Sequence, residues 1–305
     1  MAGKEPSMKQ AQNRITGRRN IQEWIMFAPF LLLFVIFTVL PILASIALSF
    51  TDFDMVRIPK FVSLNNYASA FLNDDVFLTA VKNTLIFAFI TGPLSYFICL
   101  IFAWLINEMP HKLRNVMTLL FYAPSIAGNI FVIWTFIFSG DRYGVINSIL
   151  IQLGFISDPL KFLTDAKYIM LVVIVVQLWL SLGIGFLSFI AGYNNIDKNI
   201  YEAGAVDGIK NRFQELVYLT LPSMSHMLLF GAVMQITASF SVGAVSSALV
   251  GFPSTDYAAH TVVLHIQDYG MVRYEMGYAC SIATVLFIAM LLTNTFIKRI
   301  LRKYD

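Results

Sequence analysis

Long stretches without a charged residue divide this 305-residue chain, in which only 13% of all residues are charged. A soluble domain usually has about a quarter of its residues charged. A run of roughly 20 apolar residues is long enough to cross the hydrocarbon core of a bilayer. Within lipid every backbone polar group needs a partner in its own segment, which favours helices. The sequence therefore predicts an all-α integral membrane protein.

The charge-free runs predict six transmembrane helices. The first run is too long for a signal-peptide core and has no small-residue cleavage site, so we expect it to remain in the protein, with a bend at Pro41. The six helices lie between an N-terminal tail (1–22) and a C-terminal tail (298–305), and together with their loops they form one domain, 23–297. The predicted spans are residues 24–50, 83–107, 115–139, 168–193, 225–250 and 275–297.

The distribution of basic residues predicts the orientation. The two tails and the loops 108–114 and 194–222 hold 14 of the 21 Lys and Arg residues, and the opposite side holds 7. Because basic residues accumulate on the cytoplasmic side of a membrane protein, both termini should be cytoplasmic. The net charge of +3 is too small to suggest a nucleic-acid partner.

A charged segment separates the fourth and fifth spans. Seven charged residues fall between Asp197 and Glu215, whereas none occurs from Tyr168 to Ile196 or from Leu216 to Thr255. A polar insert in so apolar a chain must lie outside the bilayer. We expect it to contact a soluble partner on the cytoplasmic side.

Local signals predict a helix–turn–helix in this segment. Asn194 or Asn195 can cap a first helix, and Gly208 suits the left-handed residue that ends it. A second short helix would include residues 213–217, before Pro222 marks the turn into the next span. A solvated loop with ordinary caps is the alternative.

The side chains of the first helix suit a docking surface. The small residues Ala203, Gly204 and Ala205 would let the backbone of another protein approach closely. Glu202 and Asp207 could pair with basic groups on that protein.

The segment from Glu202 to Gly208, followed by Leu221-Pro222, resembles the "EAA" loop of permease subunits of binding-protein-dependent ABC importers. The family pattern is E-A-A-x-x-D-G-A, a spacer, and then I-x-L-P. Three features depart from it: Gly204 and Ile209 replace alanines, the spacer is about one residue longer, and His226 replaces a common proline. Further segments resemble carbohydrate-uptake permeases, and the long first helix resembles the first of two unlike permeases; the segments are 48–53, 61–67, 83–85, 143–147 and 268–270.

The resemblance implies a type I ABC importer permease fold, half of a sugar translocation pathway, and a place in a bacterial plasma (inner) membrane. It implies a second permease subunit as a heterodimer partner, a cytoplasmic ATPase dimer and an extracytoplasmic sugar-binding protein. ATP and Mg would bind to the partner ATPase, and this chain would bind no cofactor of its own. The loop 195–222 would couple to the ATPase through Glu202, Ala203, Gly204, Asp207, Gly208, Leu221 and Pro222.

The sequence contains no motif for chemistry of its own. It has neither G-x-x-x-x-G-K-[ST] nor H-E-x-x-H, so we predict no catalytic residue and no metal site, and a partner must hydrolyse ATP. Cys99 and Cys280 lie in apolar segments and indicate no disulfide framework. The histidines are scattered; His260 and His265 are five apart, which does not place them on one helix face.

Polar residues inside the spans are the candidates for contact with a sugar. Hydrogen bonding between helices is the competing role for such residues, since Ser, Gln and Asn commonly bond across helix interfaces. The candidates are Asn129 in the third span, Gln177 and Trp179 in the fourth, and Gln235, Ser239 and Ser241 in the fifth.

Three other functions remain open. A self-sufficient secondary transporter is disfavoured because no charge-free run offers an acidic residue as a proton carrier. A permease of the same family could carry another solute, such as glycerol phosphate, but phosphate would call for basic residues along the pathway. A membrane-embedded enzyme would need a catalytic constellation that the sequence lacks.

Overall fold

The computed structural model describes residues 24–128 and 130–301. Within these ranges the chain is almost entirely helical, and its one strand-like feature is an isolated antiparallel bridge between Thr51 and Phe61. The helices are α1 (Trp24–Leu48), α2 (Asn65–Leu72), α3 (Asp75–Asn107), α4 (His111–Ile126), α5 (Phe131–Ile137), α6 (Val145–Gln152), α7 (Ala166–Leu180), α8 (Ile184–Asn194), α9 (Lys198–Val206), α10 (Arg212–Ser223), α11 (Ser225–Phe240), α12 (Ala244–Val250), α13 (Val262–Gln267) and α14 (Met276–Leu301).

Four of these helical segments, or up to six if bent pairs are included, are long and apolar enough to cross a membrane. By length and composition α1, α3, the pair α7–α8 and α14 can each span a bilayer. Two further crossings arise if the bent pairs α4–α5 and α10–α11 each count as one. The prediction of an all-α membrane protein is confirmed, and the six predicted spans agree with the upper number of candidate crossings.

The first span begins at Trp24 and contains a π-helical turn, Val35–Val39, just before Pro41. Pro41 has no N–H to donate to the preceding turn, which is a common cause of such an irregularity. None of the residues in its most apolar window is buried, and only its last part packs against α14. In a bilayer this surface must be covered by lipid tails or by another transmembrane helix.

The second span is longer than predicted, because α3 begins at Asp75 rather than at residue 83. The side chain of Asp74 caps it by accepting a hydrogen bond of 2.8 Å from the N–H of Phe77. The prediction places this boundary where the charge-free run starts. That position is too late, because the charged residues Asp75 and Lys82 lie in the first turns of the helix. A helix can extend charged turns beyond the hydrocarbon core at little cost.

The third span, predicted for 115–139, consists of two helices that lie at a sharp angle to each other. α4 contains Pro124 and ends at Ile126, and Ala127 adopts an extended conformation. α5 then begins at Phe131 at an angle of 89° to α4.

The fourth and fifth spans are both interrupted. α7 ends before Ser181 and α8 begins after Gly183. The span predicted at 225–250 is likewise broken between α11 and α12, at Ser241–Gly243. In both cases the break has the sequence Ser-x-Gly, and it exposes backbone groups that need other partners within the bilayer.

α3, α8 and α11 form the centre of the bundle, where they pack more extensively on one another than on the rest of the chain. Small residues allow the close approach: a Cβ on Gly231 of α11 would overlap the ring of Phe189, which is fully buried. Gly92 of α3 also allows a close contact, because a Cβ built on it would lie 3.4 Å from the Oγ of Ser239. Small residues at helix contacts let membrane helices pack closely, although no hydrophobic driving force brings them together in lipid.

The segments between the spans gather at two ends of the bundle. At one end Arg212 lies 3.5 Å from Glu108, so that the two loops predicted to be cytoplasmic are in contact. At the other end Asn83 donates to the carbonyl of Tyr257 at 2.9 Å, which joins the first residue of the predicted second span to a loop predicted to be outside. The grouping agrees with the predicted topology, and which end is cytoplasmic stays a prediction from the basic residues.

We predict that Gly277→Ala destabilises the junction between the first and last spans. Gly277 donates from its N–H to the carbonyl of Phe53 at 2.8 Å, and a Cβ there would overlap the carbonyl oxygen of Thr51. Overpacking of this kind costs about 2 kcal/mol. Thermal unfolding of the purified chain should show a lower midpoint. Gly128→Ala, with no atom within 4 Å of the new Cβ, is the control; equal midpoints for the two variants would contradict the prediction.

Candidate functional site

The first helix of the charged segment, α9, begins one turn later than its predicted caps imply. Asp197 is the N-cap residue, and its Oδ1 accepts a hydrogen bond of 3.0 Å from the N–H of Asn199. The prediction of Asn194 or Asn195 as cap is therefore wrong, because α8 continues through Asn194 and Asn195 ends it. Asp197 then serves as the first residue free to start a new helix.

A Schellman motif ends α9 at Gly208. Gly208 has a φ of +93°, the left-handed conformation that a glycine adopts without steric cost. The N–H of Ile209 bonds to the carbonyl of Gly204 at 3.0 Å, and the N–H of Gly208 bonds to that of Ala205 at 3.4 Å. Both bonds satisfy carbonyls that the helix end would leave open.

The second helix, α10, starts at a capped turn. Asn211 Oδ1 accepts from the N–H of Gln214 at 2.8 Å, and Gln214 Oε1 accepts from the N–H of Lys210 at 3.0 Å. The helix then widens into a π-helical turn, Glu215–Thr220. Pro222 lies in its last turn, and the direction changes by 84° at Met224, two residues after the predicted position.

Gly204 does not lie where the docking hypothesis placed it. It is buried, and a Cβ there would lie 2.6 Å from Leu219 Cδ1 of the second helix. Beside it, Tyr201 Oη and Thr220 Oγ1 are 3.0 Å apart. The missing side chain of Gly204 therefore lets α9 and α10 pack against each other, whereas we had expected it to admit a partner's backbone.

The other predicted coupling residues lie on or near the outer face of this helix pair. Glu202, Ala203 and Asp207 are exposed, as is Pro222, and Leu221 is half-buried. Exposed apolar side chains accompany them, with Val206 87% exposed and Phe213 67% exposed. Exposed apolar side chains with polar residues around them are typical of an interaction surface.

Arg212 connects the helix pair to the end of the second span. Its Nη1 donates to Glu215 Oε2 at 2.7 Å, and its Nε lies 3.5 Å from Glu108 Oε2. Glu215 first, and then Glu108, raise the pKa of the Arg212 guanidinium. A movement of the helix pair would therefore change the contact between Arg212 and Glu108 at the end of α3.

Among the pathway candidates, Gln235 bonds to the break in the fourth span. It is 4% exposed, and its Nε2 donates to the carbonyl of Ser181 at 3.1 Å and to Cys99 Sγ at 3.0 Å. The Cys99 thiol donates to the same carbonyl at 3.3 Å. The amide thus serves the interhelical role that competed with sugar binding.

The remaining pathway candidates do not converge on one point. Ser239 is buried and bonds within its own helix to the carbonyl of Ile236 at 2.8 Å. Ser241 is exposed and bonds to the carbonyl of Thr237. Trp179 packs edge-on against Trp134, with ring centroids 5.3 Å apart. Gln177 is half-buried, and Asn129 lies outside the described residues.

A buried polar cluster at the other end of the bundle was missed in the sequence. His260 Nε2 and His265 Nδ1 are 3.1 Å apart, and His265 Nε2 lies 3.1 Å from Asp74 Oδ2. Tyr269 and Tyr278 donate to the same carboxylate oxygen at 3.2 and 2.8 Å. Helix spacing did not apply to the two histidines, because His260 precedes Thr261, the N-cap residue of α13. Thr261 was the sequence signal that could have revealed the pair, because a threonine that caps α13 places His260 outside the helix.

The cluster is charged at its carboxylate and neutral at its imidazoles. Burial acts to raise the pKa of Asp74, but the bonds from Phe77 and Tyr278 and the nearby His265 outweigh it and lower that pKa. Burial lowers the pKa of His260 to about 4, with a smaller contribution from His265, and burial also lowers the pKa of His265. A neutral His265 that donates to Asp74 must accept from His260. The described residues contain no group of three or more side chains arranged to hold a metal ion.

The sequence profile of one protein family matches residues 109–305, which is well over half of the chain. The family is described as the binding-protein-dependent transport system inner membrane component. The chain belongs to this family. This permease is therefore an integral membrane subunit of a transport system that works with a solute-binding protein.

Relatives of known name match most of the permease. The probable ABC transporter permease protein YesP of Bacillus subtilis (strain 168) is 29% identical, with 91% of this chain and 89% of the relative covered. The arabinooligosaccharides transport system permease protein AraP of the same strain is 29% identical over 89% and 85%. The sn-glycerol-3-phosphate transport system permease protein UgpA of Agrobacterium fabrum (strain C58 / ATCC 33970) is 27% identical over 93% and 95%.

Two solved structures share the fold. A chain of a bacterial ABC transporter involved in the import of the acidic polysaccharide alginate superposes with a TM-score of 0.74 and 23% identity, covering 96% of this chain and 99% of that chain. A chain of the alginate transporter in complex with an alginate pentasaccharide-bound periplasmic protein gives 0.76 and 22%, covering 94% and 96%. The predicted ABC importer permease fold is confirmed.

We predict that acidification destabilises the polar cluster around Asp74 before it affects the rest of the fold. The pKa of His260 in the folded chain is below its usual value, so its contribution to stability is full above about pH 6.5 and is lost as the pH falls towards about 4. The loss between pH 7.5 and pH 5 amounts to about 2 kcal/mol. Thermal midpoints of the purified chain across this range measure it.

His260→Gln keeps a donor towards His265 and should flatten this pH dependence. His111→Gln, which removes an exposed histidine, should leave the dependence as in the parent chain. An unchanged slope in His260→Gln would contradict the assignment.

Proposed function

We propose that the permease is the transmembrane subunit of an ATP-driven sugar importer. It forms half of the translocation pathway with a second permease subunit, and it couples to a cytoplasmic ATPase dimer through the loop 195–222. The observation that carries the proposal is the α9–α10 pair, which presents Glu202 and Asp207 outward. The sequence has no phosphate-binding motif of its own, so a partner supplies ATP and Mg binding and hydrolysis.

Sugar is the solute class that the relatives favour. The names of two similar permeases refer to arabinooligosaccharides, and that of a third refers to lactose. The central parts of the described spans contain no Lys or Arg; basic residues such as Lys82, Arg114 and Lys167 lie near helix ends. A neutral solute fits such a pathway better than a phosphate ester does, although a similar permease is named for sn-glycerol 3-phosphate.

The proposed cycle alternates access across the membrane. ATP closes the ATPase dimer, each half of which holds one permease loop, and the two permeases rock to an outward-open state. Sugar then enters from an extracytoplasmic binding protein, and hydrolysis resets the complex. ATP can drive this only if it binds the outward-facing state more tightly. The contact of Arg212 with Glu108 offers a route by which loop movement reaches the second span.

The orientation follows from the same proposal. Both termini and the loop 195–222 face the cytoplasm, and the cluster around Asp74 faces outward. A self-sufficient secondary transporter is the competing function. It would require no loop partner.

Glu202→Ala should weaken the association with the ATPase about tenfold or more, because it removes one half of a proposed interfacial charge pair. The side chain is exposed and makes no hydrogen bond to described residues, so the fold should remain intact. Co-purification of the ATPase from membranes and the thermal midpoint of the permease measure the two effects. Asp158→Ala removes an exposed carboxylate at the opposite end and is the matched control. Unchanged co-purification in Glu202→Ala would refute this docking surface.

Reconstitution separates the importer from a secondary transporter. Proteoliposomes with this chain alone should show no uptake, whereas adding the second permease, the ATPase, the binding protein and ATP should restore it. Competition with arabinooligosaccharide, lactose and sn-glycerol 3-phosphate then identifies the solute class, and we expect only neutral sugars to compete. ATP-independent uptake by the chain alone would overturn the proposal, and competition by glycerol phosphate alone would replace the sugar.

A further inference from the structure

A polar cavity of about 450 Å³ lies behind the α9–α10 pair. Its walls come from the end of α3, the start of α4, the end of α8 and the inner faces of α9 and α10. We call it the inner cavity. It is separate from the outer face that carries Glu202, and none of the predicted coupling or pathway residues lines it.

The charged lining of the inner cavity has an excess of basic groups. Two carboxylates, Glu108 and Glu215, line it, and both are engaged by Arg212 at 3.5 and 2.7 Å. Arg114 and Lys198 also line it, and neither forms a salt bridge with a described residue. With three basic and two acidic side chains the lining has a net charge of +1. Its two unpaired charges are both positive.

Buried donors without partners accompany these charges. Tyr193 is only 5% exposed, and its hydroxyl bonds to no described residue. Arg114 Nε is also buried without a partner, although the other guanidinium nitrogens are held by Asn194 Oδ1 at 2.9 Å and the carbonyl of Asn107 at 2.7 Å. An unsatisfied buried donor is costly, so these groups indicate that an acceptor belongs here.

The position of the cavity suits the headgroup region of a bilayer. Trp104, near the end of α3, lines it, and tryptophan is enriched at the membrane–water interface. The cavity opens at the end of the bundle where the basic residues predict the cytoplasm. Basic pockets between transmembrane helices on that side are suited to phosphate headgroups.

We propose that the inner cavity binds a phosphate group, from either an anionic phospholipid headgroup or free phosphate. The anion would neutralise Arg114 and Lys198 and accept hydrogen bonds from Arg114 and Tyr193. Because Lys198 and Tyr201 belong to α9 and Arg212 to α10, the occupant also braces the coupling loop against the ends of the spans. The binding does not depend on which solute the permease transports.

The test uses the full chain, purified in detergent and stripped of lipid. Native mass spectrometry measures the binding of phosphatidylglycerol and phosphatidylcholine, and calorimetry measures the binding of inorganic phosphate. Lys198→Gln removes an exposed charge at the cavity, and Tyr193→Phe removes only the buried hydroxyl. Lys112→Gln removes an exposed charge from the neighbouring loop and does not line the cavity. Size-exclusion profiles and thermal midpoints establish that each variant is folded.

We expect phosphatidylglycerol to bind in preference to phosphatidylcholine if the source is a lipid, and inorganic phosphate to bind if the source is soluble. In either case Lys198→Gln should weaken binding about fivefold, and Tyr193→Phe about tenfold. Lys112→Gln should bind as the parent does. Two results would overturn the proposal: no preference for phosphatidylglycerol together with no phosphate binding, or an equal loss in Lys112→Gln and Lys198→Gln.

Discussion

The need to satisfy backbone groups inside a bilayer governs how this bundle is held together. Helices are the usual solution, yet the fourth and fifth spans both stop at a Ser-x-Gly sequence in their apolar length. Each break is repaired by another element: Gln235 donates to the carbonyl of Ser181, and Thr261 donates to the carbonyl of Val242 at 2.6 Å. Because the donors come from different parts of the chain, the breaks also connect the helices that pack at the centre. The hydrogen bonds that satisfy the broken backbone therefore also hold packed elements together.

The two ends of the bundle are fastened by polar groups of different character. At one end the carboxylate of Asp74 accepts from an imidazole and two phenols, so that one buried charge joins α3, α13 and α14. At the other end Arg212, which is held by Glu215 of its own helix, joins the α9–α10 pair to the end of α3 through the partly exposed carboxylate of Glu108. A buried hub resists rearrangement, whereas a half-exposed ion pair can be exchanged for contacts with another protein. The proposed coupling loop lies at the end that can exchange its contacts.

Prediction from the sequence succeeded where one physical property decides the outcome. Apolar length determines what can cross a membrane, so the charge-free runs identified a chain with four to six candidate crossings. It failed where a particular cap or bend sets a boundary: Asp74 caps α3 nine residues before Asn83, where the charge-free run begins, and α4 ends at Ile126, two residues after Pro124, inside an apolar stretch. The five-residue spacing of the two histidines argued against a shared helix face, but His260 lies before the helix that contains His265. Such features depend on caps and contacts that periodicity does not encode.

The coupling segment shows the same division. The sequence by itself determined that a helix ends at Gly208 and that the chain resembles ABC importer permeases, and it predicts that the segment lies outside the bilayer, because charge, the need for a left-handed residue and residue order are local properties. Only the tertiary structure decided that Gly204 faces Leu219 rather than a partner, and that Arg114 and Tyr193 meet around a polar cavity. These residues are far apart in the chain, and their contacts arise from the angles at which helices cross. No local pattern specifies those angles.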